Sequence, residues 1–315
     1  MSSPSTTQPE TTFRAFTNSQ GFDYAKYRRD YHPSLYHEII DYHTSKHGEL
    51  NTLLDIGCGP GIAVRTFAKT FKHAIGIDAS EGMIATAKSL GGKTSTSQPI
   101  RFEVSMDFGK NLNLSDGSVD VITVATAAHW FDMNVFWTQA ARLLKPAGTV
   151  AIWTGACDLK AAPPTPRYEE VTNVMQKMMH ELNPYETLGN KVNVGLYVDL
   201  RMPWMLERPV MAFKKCHFGR VEWGTGTPSA LPGNEFLAEH KPQSLDSIEM
   251  MLGTWSAVVR WREANKEKIK TEEDVVRKMR RGVEGVLRGV GISYFMMHSK
   301  SYARRNQSPP RSHVY

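Results

Sequence analysis

An apolar run that ends in an acid and opens into three alternating glycines constrains this chain more than any other feature. The stretch reads Leu53-Leu54-Asp55-Ile56-Gly57-Cys58-Gly59-Pro60-Gly61, and a second apolar run closes on Gly76-Ile77-Asp78. Short apolar runs punctuated by glycine predict buried strands, and the segment between them, roughly Ile62 to Phe71, has a helical pattern. Strand, tight turn, helix and strand make the unit of a parallel sheet, because parallel neighbours need a crossover. Glycine admits positive φ and lets the backbone approach a ligand closely. An acid at the tip of the second strand can accept both ribose hydroxyls of a nucleoside. The pattern predicts a nucleoside-cofactor site at the carboxyl ends of parallel strands.

The spacing narrows the cofactor. The dinucleotide fingerprint G-x-G-x-x-G puts its third glycine inside the helix. Here Gly61 follows Gly59 by two, with Pro60 between them, so the helix starts after the last glycine. Such a loop passes close to a compact ligand instead of seating a pyrophosphate on the first helical turn. Asp55 is placed to fix the loop's amides or to meet a cationic ligand. With Asp78, the D-x-G-x-G-x-G spacing resembles motif I and the partner acid of class I methyltransferases that use S-adenosylmethionine. A nicotinamide dehydrogenase and a glycine-rich turn without a ligand are the competing readings.

Composition removes several classes. The 315 residues, 41% hydrophobic, suffice for one large α/β domain. The longest apolar stretch, near Val119 to Ala128, is broken by Asp120 and His129 and falls short of a membrane span. Met1 to Glu10 is rich in Ser, Thr and Pro and lacks a secretory pattern. Cys58, Cys157 and Cys216 lack C-x-x-C spacing, which argues against a zinc site or disulfide framework and fits a reducing, cytoplasmic setting. The net charge of +6 owes much to Arg277-Lys278-Met279-Arg280-Arg281 and Arg304-Arg305. Clustered bases are a footprint of nucleic-acid binding. No aromatic-interleaved basic motif accompanies these, and their helical spacing reads as a solvated face. A positive field that attracts acidic small molecules is a further use.

Elements alternate along the first half. Residues 21–50 predict two short helices parted by Pro33. Strands are expected at Thr52–Ile56, Ala74–Asp78, Ile100–Val104, Val119–Val124 and Thr149–Thr154, with helices after Ser80 and over Met133–Leu144. This pattern predicts a doubly wound, mostly parallel sheet. After Ala156 a proline-rich linker at 163–166 leads to an amphipathic helix, Val171–Leu182, whose Met175, Met178 and Met179 read as packing. Phe213–Trp223 is the candidate sixth strand, and 244–265 and 272–286 look helical. The expected organisation is a lead-in over 1–20, a single domain over 21–300 with a core at 50–155 and a cap after it, and a disordered tail over 301–315.

A second constellation, Ala127-Ala128-His129-Trp130-Phe131-Asp132, follows the fourth strand directly. In this architecture that strand end faces the reactive group of the cofactor. Trp130 and Phe131 are suited to wall the site, and His129 to hydrogen-bond or deprotonate a substrate. The plainer reading has His129 capping the next helix and Trp130 in the core.

These residues carry a narrower resemblance. Ala128–Asp132, the run Ala141-Arg142-Leu143-Leu144-Lys145-Pro146-Ala147-Gly148 with Thr149–Trp153, and Thr254-Trp255-Ser256-Ala257 through Arg262 resemble the fungal trans-aconitate methyltransferase family. Tyr24, Arg28, Tyr31 and Tyr36 resemble its aromatic-arginine segment. The resemblance spans about residues 13–285. It implies a seven-stranded Rossmann-like fold with N-terminal helices and a helical cap after the fifth strand. It also implies methyl transfer from S-adenosylmethionine to an oxygen of a small acid. Family members close with a final apolar strand. Here Ile292–Met297 is the poor substitute, and a missing strand would leave an exposed edge.

On this basis Gly57, Gly59 and Gly61 are expected to hold the methionine moiety, Asp78 the ribose, and Asp107 with Phe108 the adenine. Asp55, Met83 and Ala125 complete the cofactor set. His129 and Trp130 are the catalytic candidates, and Arg28, Tyr31, Trp255 and Arg260, with Arg262 nearby, the candidates for gripping substrate. No metal is expected. The expected partner is a small molecule, with neither nucleic acid nor membrane, and the oligomeric state is left open. A carboxylate acceptor is already ionised at neutral pH and needs no base, whereas a hydroxyl would need His129. A tailoring O- or N-methyltransferase of secondary metabolism and a non-catalytic cofactor-binding regulator are the alternative functions.

Overall fold

Parallel strands buried on both faces dictate the architecture. The computed structural model describes residues 11–161, 165–223, 230–231, 243–288, 294–295 and 297–307. β1 (Thr52–Ile56), β2 (His73–Asp78), β3 (Arg101–Val104) and β4 (Val119–Ala125) alternate with α3 (Ile62–Ala68), α4 (Glu81–Leu90) and α5 (Met133–Leu143). Six of the seven residues of β4 are buried, as a strand covered by helices on both sides requires. β5 (Leu144–Ala161) runs far beyond the expected Thr149–Thr154, and its last residues, still paired in the sheet, pack into the cap.

Among the described residues the sheet has eight strands in the order β3-β2-β1-β4-β5-β10-β6-β7, where β6 is Gly219–Trp223, β7 Ala230–Leu231 and β10 Met297–Gln307. The count exceeds the expected seven by the two-residue β7. Among these strands only β10 runs antiparallel to its neighbours, pairing with both β5 and β6. Chain order reverses between β1 and β4, and a crevice opens at the carboxyl ends there.

Three apolar clusters organise the helices. On one face α3 and α4 join α2 (Pro33–Thr44) around Leu35, Ile39, Phe67 and Phe71. On the other, α5 supplies Phe136 and Trp137 to a cluster that extends to Tyr197 and Phe213. The third binds the end of β5 to α6 (Tyr168–Leu182), α8 (Leu245–Gly253), α9 (Ser256–Ala264) and α10 (Val275–Leu287), and this is the cap. α1 (Asn18–Tyr27) starts on a Thr17–Gln20 capping box and lies against α4, where a Cβ on Gly82 would stand 2.0 Å from the Phe16 carbonyl oxygen. Pro33 opens α2 at its first turn, where proline's missing N–H costs nothing.

Several boundaries differ from expectation. Residues 18–20 belong to α1, whereas 1–10 lie outside the described residues, as do 163 and 164 of the linker. Only 219–223 of the proposed sixth strand is strand, because Lys215–His217 forms a short 3₁₀ turn. The helix expected over 244–265 breaks at Thr254-Trp255 into α8 and α9. The expected closing strand at Ile292–Met297 is displaced: Tyr294–Phe295 (β9) pairs with Gln243–Ser244 (β8), and the strand inserted in the main sheet is β10. Residues 301–307, expected in a disordered tail, are strand, and 308–315 lie outside the described residues.

On α10, Arg277, Lys278, Arg280 and Arg281 pair with Glu249, Glu181, Asp246 and Glu272, respectively. The basic cluster is an ion-paired helix face.

Ala303 lies opposite Trp153 on one side and Val221 on the other, so Ala303→Pro removes a backbone donor from a strand paired on both edges. The expected loss is about 1–3 kcal/mol of stability, the cost of leaving a buried backbone acceptor unpaired. A thermal melt that superposes on the parent's would show that β10 does not close the sheet.

Candidate active site

The loop after β1 is stapled to the end of β2. The amides of Gly57 and Cys58 both donate to the Ile77 carbonyl, at 2.8 and 3.0 Å, and the Gly59 amide donates to Asp78 Oδ2 at 2.9 Å. Asp78 Oδ1 accepts from the Ser80 amide at 2.8 Å. Burial raises the Asp78 pKa, and the amides of Ser80, Gly59 and Ala79 pull it back. Gly57 has φ +71, and a Cβ there would lie 2.6 Å from the Ala127 Cβ. Gly59 has φ +55, and its missing Cβ points into space with nothing within 4 Å. Arg65 Nη2 holds the Pro60 carbonyl at 2.7 Å.

Asp55 does not hold this loop. It is fully buried, Oδ1 accepts the Thr123 hydroxyl at 2.7 Å, and Oδ2 has no partner among the described residues. Burial pushes its carboxyl up to about 7, with repulsion from Asp78 adding to the shift and the Thr123 bond opposing it. The amides that it was expected to fix are taken by Ile77 and Asp78.

A cavity of about 440 Å³ lies over the loop. Gly57, Gly59, Asp78, Met83, Phe108 and Ala125 line it. Gly61 and Asp107 are not among the lining residues: Gly61 caps α3, and Asp107 Oδ1 accepts the Ser105 hydroxyl at 3.0 Å. Ser105, Met106 and Phe108 form the wall where Asp107 was expected to reach the ligand. Phe108 stands against Phe131, ring centroids 4.8 Å apart.

The end of β4 supplies the opposite wall. Ala128–Trp130 is one 3₁₀ turn, and Asp132, not His129, caps α5 by accepting the Asn134 amide at 2.9 Å. His129 and Trp130 both line the cavity, their rings 4.4 Å apart. His129 Nδ1 is 2.7 Å from the Tyr197 hydroxyl, and burial pushes the imidazole down to about 3.

The N-terminal helices and the cap close the cavity. Arg28 and Tyr31 line it, with Arg28 Nε donating to Thr254 Oγ1 at 2.9 Å and the Tyr31 hydroxyl 2.9 Å from Thr126 Oγ1. Trp255 lines it from the α8–α9 break, and its buried indole N–H has no partner among the described residues. Met179 and Leu182 of α6 reach the cavity, while Met175 and Met178 stay in the cap core. Arg260 does not line it. Its guanidinium donates to the Tyr185 carbonyl, Thr12, Asn190 and Ser256. Asn190 and Ser256 do line the cavity, so Arg260 braces the wall instead of touching a ligand. Arg262 is paired with Asp274 at 2.8 Å, away from the cavity. Asn190, Asn193 and Tyr197 escaped sequence reasoning. The Thr187–Asn190 capping box of α7 (Leu188–Val194) was the one local signal for that segment.

An acid at the tip of β2, bare backbone at Gly59 and aromatic walls suit an adenosyl sulfonium, whose ribose needs acceptors and whose cation favours aromatic faces. Comparison with known proteins agrees. Residues 54–152 match the methyltransferase domain family. A Dictyostelium discoideum protein described as a methyltransferase is 34% identical over 168 residues, 53% of this chain and 56% of that protein. A Saccharomyces cerevisiae protein described as an S-adenosylmethionine-dependent methyltransferase is 33% identical over 137 residues, 43% of this chain and 45% of that one. The chain thus spans about half the length of the curated relatives it matches. A solved structure of a type II methyltransferase from Anaeromyxobacter dehalogenans shares the fold, with TM-score 0.56, 20% identity and coverage of 90% of this chain and 97% of that one. The fold and the loop are those of the class I methyltransferases. Residues 54–152 are accordingly a methyltransferase domain. Among the described residues no helix is long and apolar enough to cross a membrane.

Two variants probe this geometry. Asp78→Ala should weaken S-adenosylmethionine binding more than about tenfold, the size of a lost charged acceptor. Unchanged affinity by titration calorimetry would remove Asp78 from the site. Asp55 binds a proton on folding, so the stability it contributes is complete below the ordinary carboxylate range and is lost as pH rises through about 7. The slope in that window is at most about 1.4 kcal/mol per pH unit. The melting temperature of Asp55→Asn should therefore fall less than the parent's between about pH 5 and about pH 8. Parallel curves would contradict the assignment.

Proposed function

We propose that the protein transfers a methyl group from S-adenosylmethionine to an oxygen of a small acidic metabolite, a carboxylate of the trans-aconitate kind. The state of His129 carries this reading. A buried imidazole whose pKa is pushed down to about 3 is a poor base at neutral pH, so the acceptor must arrive already ionised. That favours a carboxylate over a hydroxyl or phenol, and counts against the tailoring reaction that needs His129 as base. The unpartnered indole N–H of Trp255 supports it further, because a buried donor calls for an acceptor such as a carboxylate oxygen. Arg14, Arg28 and Arg29 on the same cavity wall add positive charge.

When bound, the sulfonium cofactor supplies an electrophilic methyl and leaves as a neutral thioether, so no acid is called for. The chain's own residues then bind, orient and exclude water. Asp78 and the loop over Gly57–Gly59 fix the donor side. Trp255 and the arginines hold the acceptor's oxygens, and Trp130 with Phe131 keeps the crevice dry. Positioning of this kind supplies several kcal/mol of rate acceleration without proton transfer.

The test is incubation with methyl-labelled S-adenosylmethionine against a panel of di- and tricarboxylic acids, phenols and amines. Label should appear in an acid as a base-labile ester. The rate should stay flat from about pH 6 to about pH 8, where a histidine base of ordinary pKa would titrate. Transfer to phenols or amines alone, or a fall in rate near pH 6.5, would overturn the reading.

A further inference from the structure

Tyr197 belongs to no motif, yet it stands directly behind His129. It is fully buried, and its hydroxyl is 2.7 Å from His129 Nδ1. The backbone that puts it there is unusual: Leu196 and Tyr197 have φ of +52° and +59°, a region that side-chain-bearing residues seldom enter. Such backbone persists where surrounding structure holds it and concentrates at functional sites. Here the holding bonds run from the Leu196 amide to the Asn193 carbonyl, 2.9 Å, and from the Tyr197 amide to the Val192 carbonyl, 3.0 Å. The His129 ring lines the cavity, and no hydrogen bond engages its Nε2 among the described residues.

The direction of the Tyr197–His129 bond decides what His129 offers the cavity. A phenol is a stronger acid than a neutral imidazole N–H, and an imidazole nitrogen is a stronger acceptor than a phenol oxygen, so O–H to N is the favoured sense. The Thr154 hydroxyl also lies beside Tyr197, but it donates to Asn193 Oδ1 and its oxygen is the weaker acceptor.

We propose that Tyr197 is a positioning residue: its hydroxyl donates to His129 Nδ1 and holds the imidazole in the Nε2–H tautomer, so that His129 presents a hydrogen-bond donor to the acceptor's carboxylate. The inference rests on the methyl-transfer reading and assigns His129 its part within it. A donor at this point orients one carboxylate oxygen while the other attacks.

The test uses the full chain, labelled with ¹⁵N-histidine and saturated with S-adenosylhomocysteine, in imidazole nitrogen–proton correlation spectra. The chain has 11 histidines, and the signals of His129 are those that vanish in His129→Gln. The expected pattern is a protonated Nε2 and a bare Nδ1, changing to a tautomer mixture in Tyr197→Phe while affinity for S-adenosylhomocysteine changes less than about twofold. In turnover, Tyr197→Phe should lower kcat about tenfold with the KM for S-adenosylmethionine unchanged, a loss of the size of one hydrogen bond to a charged group. His129→Gln, whose amide can donate from the Nε2 position, should retain more activity than His129→Ala. A protonated Nδ1 in the parent protein, an unchanged spectrum in Tyr197→Phe, or equal loss in His129→Gln and His129→Ala would overturn the proposal. If Tyr197→Phe does not fold, the parent spectrum decides alone. Failure of the parent to bind S-adenosylhomocysteine would instead strike the methyl-transfer reading itself.

Discussion

The hydrogen bond from the Gly59 amide to Asp78 Oδ2, 2.9 Å long, ties the loop after β1 to the tip of β2. Together with the two amides that converge on the Ile77 carbonyl, it converts a glycine-rich turn into a fixed surface. The bond matters because Asp78 is an acid in a mostly buried place, and a buried carboxylate is tolerated only where donors satisfy it. The Ser80 amide, at the start of α4, is the second of those donors. One side chain therefore sets the loop, the first turn of α4 and the acceptor face of the cavity. The remainder of the site is arranged around that floor.

The roof follows a different logic. Its residues come from α1, α6, α7 and the α8–α9 junction, elements distant in sequence that share no periodic signature. Arg260 joins several of them, taking the Tyr185 carbonyl, Thr12, Asn190 and Ser256 with one guanidinium. A planar cation with five donors suits such a junction, since it satisfies many acceptors at once with little freedom lost per bond. Arg28 does comparable work nearer the cavity, bonding Thr254 and lying over the Tyr24 ring at 5.0 Å. The arginines that sequence reasoning offered for gripping substrate thus divide: Arg28 faces the cavity, while Arg260 and Arg262 are struts in its frame.

The strands from β1 to β5 and the loop over Gly57 to Gly61 were legible because each depends on contiguous residues. Apolar runs, glycine spacing and a terminal acid are local patterns, and their physical consequences are local as well. The position of His129 and Trp130 could also be read, since a strand end places whatever follows it. The role of Asp55 could not be. Its proximity to the loop in sequence suggested that it holds the loop, but the side chain points to β4 and leaves the amides to β2. Asp107 failed for a similar reason, its carboxylate being turned to Ser105. The antiparallel β10 was illegible because Met297–Gln307 is polar and basic, and pairing there is carried by backbone bonds to β5 and β6 rather than by an apolar pattern.

The amino-acid sequence by itself determined that a parallel sheet would end in a nucleoside-cofactor loop with an aromatic pair opposite, because those features are written within short windows. Only the tertiary structure decided what His129 can do. Burial sets its basicity, and its Nδ1 faces the hydroxyl of a tyrosine 68 positions away whose own backbone is left-handed. Proton affinity depends on the dielectric and the partners around a ring, and these come into being only once distant segments have packed together.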